Sequence, residues 1–140
     1  MIVADTNVLS EPLRPRPAGQ VLQWLEHHRQ DLAITAVTIG ELRYGARRLP
    51  EGHRRSALIA AIDQLVASAG DRVLPYGAAA GDAYGVLRAE RERAGRPMSV
   101  EDLMIAATCL VHGAGLATRN VRDFDGCGLR LIDPWAVPTE

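Results

Sequence analysis

The chain has 140 residues, of which none is lysine and only 4% are aromatic. Scarce aromatic side chains disfavour a protein that binds single-stranded nucleic acid by stacking bases on aromatic platforms. The 16 basic residues are all arginine, whose planar guanidinium matches phosphate or carboxylate groups. Without lysine, a buried carboxylate needs an arginine or a bound cation as its counter-charge.

Several other signals are missing. The two cysteines, Cys109 and Cys127, form neither a CxxC motif nor a zinc-binding spacing. No apolar run approaches the roughly 20 residues that a membrane-spanning helix needs, and no basic segment precedes the short apolar start. The net charge of −1 gives no overall attraction to nucleic acid or to a membrane surface. We therefore expect a single soluble, cytoplasmic domain over residues 1–140.

Short apolar runs alternate with helical patterns along the chain. Strands are predicted at residues 2–5, 32–34, 116–118 and 129–132, with a further strand or edge segment at 73–74. Helices are predicted from Pro17 over Val21 to Leu25, from Thr35 or Thr38 to about Leu49, and at 53–69, 78–94 and 99–113. This alternation favours an α/β fold with a mostly parallel, short-stranded sheet flanked by helices.

Three carboxylates lie where predicted elements start or end. Asp5 ends the first apolar run, Glu41 follows the second strand by a few residues, and Asp102 opens the most apolar helix. Ligands of parallel α/β sheets gather beyond the carboxyl ends of the strands, so we expect these acids to converge there. Further polar residues come just after the third main strand, namely Asn120, Asp123 and Asp125.

Clustered carboxylates repel one another unless a cation joins them, and hard oxygen ligands suit Mg²⁺ or Mn²⁺ rather than zinc. The alternative is that each acid only caps a helix. Residues 99–102 resemble a capping box, residues 38–41 form a regular one, and Asp5 could make an Asx turn to Asn7. The shared placement of all three acids favours the metal site.

Five arginines lie between Arg43 and Arg55, opposed only by Glu51. Arg43 and Arg47 are four residues apart and share one face of the helix that carries Glu41. With Arg14, in the proline-rich turn after Asp5, they are candidate contacts for a phosphate-bearing or acidic partner. A solvated surface is the alternative. The predicted helix at 78–94 carries an arginine-rich face interpreted as exposed, with Arg88, Arg91 and Arg93.

The ordered set of motifs resembles the PIN-domain family, and within it the VapC-type toxin ribonucleases and their FitB-like subgroup. The matching residues are Asp5-Thr6-Asn7-Val8-Leu9, Glu41, Asp102 before Ile105-Ala106-Ala107, Ala117-Thr118-Arg119-Asn120 and Asp123-Phe124. The segments Ser10 to Pro15 and Asp133-Pro134-Trp135 are also similar to that subgroup. The resemblance covers nearly the whole chain.

The resemblance implies a three-layer PIN-like fold and a Mg²⁺-dependent endoribonuclease, with Mn²⁺ as a substitute ion. Matched positions imply Asp5, Glu41 and Asp102 as catalytic, metal-binding acids. Many members carry a fourth acid where Asn120 stands here, so Asp123 is the candidate replacement. Residues that would orient the acids or a water are Thr6, Asn7, Thr118 and Asn120.

The resemblance further implies a homodimer, an apolar groove that takes an amphipathic antitoxin helix, and a higher assembly with that antitoxin. RNA or the antitoxin would contact Arg43, Arg47 and Arg14. Two other functions stay open: a non-toxin PIN nuclease of RNA processing, and a catalytically idle PIN-fold binding module. The absence of lysine and the few histidines argue against a metal-free, histidine-driven ribonuclease.

Overall fold

A computed structural model describes residues 1–136 of the chain. Its strands are β1 Ile2–Ala4, β2 Leu32–Thr35, β3 Val73–Leu74, β4 Gly115–Ala117 and β5 Leu131–Ile132. They form one sheet in the order β3-β2-β1-β4-β5, and each neighbouring pair is parallel. The predicted mostly parallel sheet is confirmed, with β1 at its centre.

Helices fill the connections between the strands. They are α1 Thr6–Ser10, α2 Gly19–His27, α3 Ala36–Arg47, α4 His53–Ala69, α5 Ala78–Arg93, α6 Val100–His112 and α7 Val121–Phe124. Two short 3₁₀ helices, Glu11–Leu13 and Gly70–Arg72, join them. In the described part of the chain, no helix is long and apolar enough to cross a membrane.

The sheet separates two hydrophobic cores, which makes the fold three-layered. Side chains alternate between the faces of a strand, so Val3 of β1 belongs to one core while Ile2 and Ala4 belong to the other. The first core packs against α6 and α5, and the second packs against α2, α3 and α4. Both faces of the central strand are buried, as a parallel sheet requires.

Several predicted boundaries differ from the structure by one or two residues. The last strand begins at Leu131 rather than residue 129, because β4 is three residues long and pairs only with Leu131 and Ile132. The helix after β2 is capped by Thr35, whose hydroxyl accepts the Thr38 N–H at 3.1 Å. The interpretation of residues 38–41 as a capping box is therefore wrong, since Glu41 lies inside α3.

Candidate active site

The carboxyl ends of β1 and β4 bring their polar residues together at one edge of the sheet. Ala4 pairs with Ala117, so Asp5 and Thr118 follow their strands side by side. The Asp5 N–H donates to the Ala117 carbonyl at 2.9 Å, which continues the ladder one step past β1. The site therefore begins as an extension of the sheet, before any side chain contributes.

Asp5 is buried, with 6% of its surface exposed. Its Oδ1 accepts the Thr6 N–H at 2.8 Å and its Oδ2 accepts the Thr118 hydroxyl at 2.8 Å. Burial raises the pKa of this carboxyl, and the two hydrogen bonds offset part of the rise. Asp5 also caps α1, which is the structural role that the sequence offered as the alternative, but it bonds to Thr6 rather than to Asn7.

Glu41 projects from α3 toward the start of α1. Its Oε1 accepts the Thr6 hydroxyl at 2.8 Å, although the two residues are 35 positions apart. Burial raises the pKa of Glu41, the Thr6 bond opposes that rise, and the negative charges of Asp5 and Glu101 add to it. Thr6 thus joins the two acids, giving its N–H to one carboxylate and its hydroxyl to the other.

Asp102 approaches the same edge from the first turn of α6, where its N–H donates to the Ser99 hydroxyl at 3.2 Å. Burial raises its pKa to about 6, and the charges of Asp5, Asp123 and Glu41 contribute to the shift. The acids therefore lie near enough to repel one another. Within residues 1–136, however, no group of three or more His, Cys, Asp or Glu side chains closes around a metal-sized space.

The remaining predicted polar residues lie on chain segments next to these three acids. Asn120 is exposed, and its N–H donates to the Thr118 hydroxyl at 3.1 Å. Asp123 is exposed on α7, at the rim of the site. Asn7, half-buried on α1, places its Oδ1 out of contact with solvent and without a hydrogen-bond partner among the described residues.

Arg91 is a site-supporting residue that the sequence did not reveal. The interpretation of Arg91 as exposed is wrong, since it is 7% exposed near the end of α5. Its guanidinium donates to the carbonyls of Arg96 at 3.0 Å, of Asp123 at 3.4 Å and of Asp125. Arg91 therefore fixes the backbone that carries Asp123. Its spacing of four residues from the buried Leu87 was the available signal.

A family model for the PIN domain matches residues 2–126, which is most of the chain.

The chain belongs to the PIN-domain family.

Curated relatives of this PIN domain include proteins named as toxins and ribonucleases. It is 36% identical over 137 residues to the VapC ribonuclease Y4jK of Sinorhizobium fredii, covering 96% of this chain and 98% of that protein. It is 33% identical over 137 residues to Toxin FitB of Neisseria gonorrhoeae, covering 96% and 99%. The tRNA(fMet)-specific endonuclease VapC of Shigella flexneri is 32% identical over 132 residues, covering 94% of this chain and 96% of that protein.

Solved structures give the same result for the fold. A crystal structure of FitAcB from Neisseria gonorrhoeae contains a chain that superposes with a TM-score of 0.93 at 32% identity, covering 98% of this chain and all of that one. A DNA-bound VapBC from Salmonella typhimurium superposes with a TM-score of 0.80 at 26% identity, covering 95% and 97%. The predicted PIN-like architecture is confirmed.

The predicted arginine contacts have different surroundings in this PIN domain. Arg43 donates to Asp63 of α4 at 2.6 Å and so joins α3 to α4. Arg47 is exposed at the end of α3. Arg14 is exposed and lies 3.6 Å from the buried Glu11. Arg47 and Arg14 therefore stay available to a partner, whereas Arg43 must first leave Asp63.

An apolar groove of about 770 Å³ runs between α2 and α4. Its walls include Leu22 and Leu25 of α2 and Leu65 of α4, and Arg29 and Arg72 lie among its lining residues. Val21 and Trp24 of the same α2 are buried in the core, as expected. The PIN domain thus carries a groove with the apolar walls that an amphipathic helix needs.

Proposed function

We propose that this PIN domain, acting as one unit, is the metal-dependent endoribonuclease toxin of a type II toxin–antitoxin pair. The observation that carries the proposal is the threonine-linked pair of acids, Asp5 and Glu41, at the sheet edge that Asp102 also approaches. Relatives named VapC ribonuclease and Toxin FitB, aligned over nearly the full length, support the same activity. An RNA substrate places the activity in the cytoplasm.

The donor chemistry of the residues at this edge suits a divalent cation, although the three carboxylates would have to move closer together to share one ion. The pKa values of Asp5, Glu41 and Asp102 are all raised, so each carboxylate is destabilised when it ionises without a counter-charge. The buried Asn7 Oδ1 is a further oxygen without a partner in residues 1–136. Carboxylate and amide oxygens are the donors that Mg²⁺ and Mn²⁺ prefer. We infer that Asp5, Glu41 and Asp102 hold the ion.

A bound cation would supply the positive charge that activates a water molecule and stabilises the phosphate under attack. The protein's own contribution is to keep the acids in place. Thr118 and Thr6 hold the carboxylates of Asp5 and Glu41 at fixed angles, which lowers the cost of ordering them at the moment of reaction. Asp123, at the rim, is the proposed fourth acid, and exposed Arg47 and Arg14 are proposed to bind flanking phosphates.

A cognate antitoxin is proposed to inhibit the enzyme by laying an amphipathic helix in the α2–α4 groove. For this chain, the argument rests on the apolar walls of the groove and the two arginines among its lining residues. We further propose a homodimer that assembles with the antitoxin. Replacing Leu25 with Glu should release inhibition and leave RNA cleavage unchanged.

The test is cleavage of end-labelled RNA by purified protein, first in EDTA and then across a Mg²⁺ or Mn²⁺ titration. We expect cleavage only with metal, and none from the Asp5→Asn variant. The exposed Asp82 of α5 gives a matched control, because Asp82→Asn removes the same charge away from the site. Manganese binding by calorimetry checks the same acids without any catalysis.

Three results would change the assignment. Full activity of Asp5→Asn would remove the mechanism. Metal binding without cleavage of any RNA would leave a binding module. RNA cleavage by the protein, combined with the absence of a small antitoxin reading frame beside its gene, would favour a PIN nuclease of RNA processing. Sequencing RNA ends after induced expression then identifies the substrate.

A further inference from the structure

A second cavity, of about 520 Å³, lies between the 3₁₀ helix Glu11–Leu13, α3 and α4, and Thr6 and Glu41 form part of its lining. Its volume falls in the range of roughly 300–1,000 Å³ that small-molecule sites occupy. We propose that this cavity binds one RNA nucleotide beside the cleaved bond, with the base on the apolar floor and a phosphate at two arginines. This inference rests on the proposed function.

The floor of the cavity is aliphatic. Leu42 of α3 and Ile62 of α4 are 7% and 1% exposed, and Leu58 adds a half-buried side chain. No aromatic side chain is among the lining residues that the structure describes. A base placed here is therefore held by dispersion and by exclusion of water, rather than by stacking on a ring.

The rim of the cavity is positively charged. Arg14 and Arg54 both line it, and the Arg14 side chain is 60% exposed. Arg54 lies in the first turn of α4, which has no acidic residue and no side-chain cap. Positive side chains at a helix N-terminus are unfavourable unless an anion approaches. The aliphatic floor and the two arginines suit a ligand that carries both an apolar ring and a phosphate, which Arg14 can contact if it leaves Glu11, 3.6 Å away.

Gly45 keeps the cavity open. It lies one turn after Glu41 in α3, and a Cβ atom built on it meets nothing within 4 Å. A larger side chain there would fill the cavity while favouring the helix, because glycine is a poor residue for a helix interior. Gly40, exposed in the same helix and equally unobstructed, does not line the cavity. The pair of glycines gives a matched test of filling.

The experiment measures binding of a short RNA, by fluorescence anisotropy, to proteins that all carry Asp5→Asn and so do not cleave. We expect Gly45→Leu to weaken binding by about tenfold, as expected when one base loses its burial against an apolar surface. Gly40→Leu should change binding less than twofold. We also expect Gly45→Leu and Gly40→Leu to bind manganese equally well when Asp5 is intact. Equal affinity would show that the leucine at position 45 fills the cavity without displacing Glu41.

Arginine variants test the phosphate contact independently. Arg54→Ala should weaken binding and lower the slope of log affinity against log salt by about 0.7, as expected for one lost contact to a single strand. The adjacent Arg55 does not line the cavity, so Arg55→Ala should leave the slope nearly unchanged. Equal losses from both variants would mean a diffuse positive surface and would overturn the subsite.

Changes in the RNA complete the test. An abasic nucleotide next to the cleaved bond should weaken binding to the Gly45 protein and not to Gly45→Leu, since the two changes remove the same contact. The proposal is overturned if Gly45→Leu leaves RNA binding unchanged. If the same variant weakens binding of an antitoxin peptide but not of RNA, the cavity belongs to the antitoxin. Cleavage by wild-type protein in that case preserves the proposed function, whereas absence of any RNA binding or cleavage refutes both.

Discussion

The candidate site has two halves that are held in different ways. In the threonine-linked half, side-chain hydroxyls of Thr6 and Thr118 bond directly to the carboxylates of Asp5 and Glu41. In the rim half, formed by Asp102 and Asp123, hydrogen bonds hold the backbone of the acids rather than their carboxylates. The Asp102 N–H donates to the Ser99 hydroxyl, and Arg91 donates to the Asp123 carbonyl. Asp5 is the most deeply buried of the four acids, whereas Asp123 is exposed and keeps room to adapt to a ligand.

The largest expected effect on the free energy of unfolding comes from the rim half. Arg91→Ala removes three buried donations to carbonyls and should destabilise the protein by about 2–4 kcal/mol. Urea unfolding measures this, and hydrogen exchange should quicken at Asp125 and Cys127. Arg88 of the same helix is exposed and pairs with Glu92 at the surface, so Arg88→Ala should have a far smaller effect on stability. Equal costs would mean that the rim half does not depend on Arg91.

Thr118→Val probes the threonine-linked half. It removes the donor to Asp5 and the acceptor for the Asn120 N–H, and we expect a loss of about 1–3 kcal/mol at pH 7. Because the pKa of Asp5 is already raised, folded-state stability falls as pH rises through that pKa, and the variant should steepen this fall. Its cost should therefore shrink at acid pH.

The matched control for Thr118 is Thr108, which is equally buried and donates to the Met104 carbonyl within α6. Since that carbonyl lies in a regular helix, Thr108→Val should cost less than about 1 kcal/mol and show no pH dependence. A Thr118→Val cost that stays constant from pH 4 to pH 8 would contradict the assigned bond to the Asp5 carboxylate.

Asp102→Asn should stabilise the metal-free protein. Asp102 has a pKa of about 6, raised from 3.8, so ionising it opposes folding as pH rises from about 4 to above 6. Because the side chain is only half-buried, we expect a gain of about 1 kcal/mol at pH 7.5 in EDTA, fading below pH 4. Adding Mg²⁺ should stabilise the wild type more than the variant. Asp82→Asn, which removes an exposed charge on α5 away from the site, should give no such gain.

The smallest expected effect lies between α3 and α4. The Arg43–Asp63 pair is 34% and 61% exposed, so Arg43→Ala should cost no more than about 0.5 kcal/mol, and the cost should vanish in 1 M salt. If Arg43 instead serves RNA, the variant will weaken RNA binding far more than it weakens folding. The comparison of the two losses decides whether this arginine belongs to the fold or to the site.

Much of this arrangement follows from local pattern. The strands and α4 were predictable because apolar runs of fixed period have few alternative folds, and Asp5 stood out because it ends such a run. The burial of Arg91 was not predictable, because its partners are carbonyls up to 34 residues away and arginine is ordinarily solvated. The sequence left open whether Thr35 or Thr38 caps α3, and so offered a capping box at residues 38–41, because both threonines have the same chemistry and only the path of the chain from β2 selects Thr35.

The position of β4 beside β1 has a consequence for synthesis. The two partners of the Asp5–Thr118 bond are separated by 113 residues, and the second comes from the last quarter of the chain. A ribosome-bound fragment that ends before β4 has the first acid but neither its hydroxyl partner nor the strand that lines it up. The proposed nuclease activity can therefore arise only late in synthesis, once most of the polypeptide has been made.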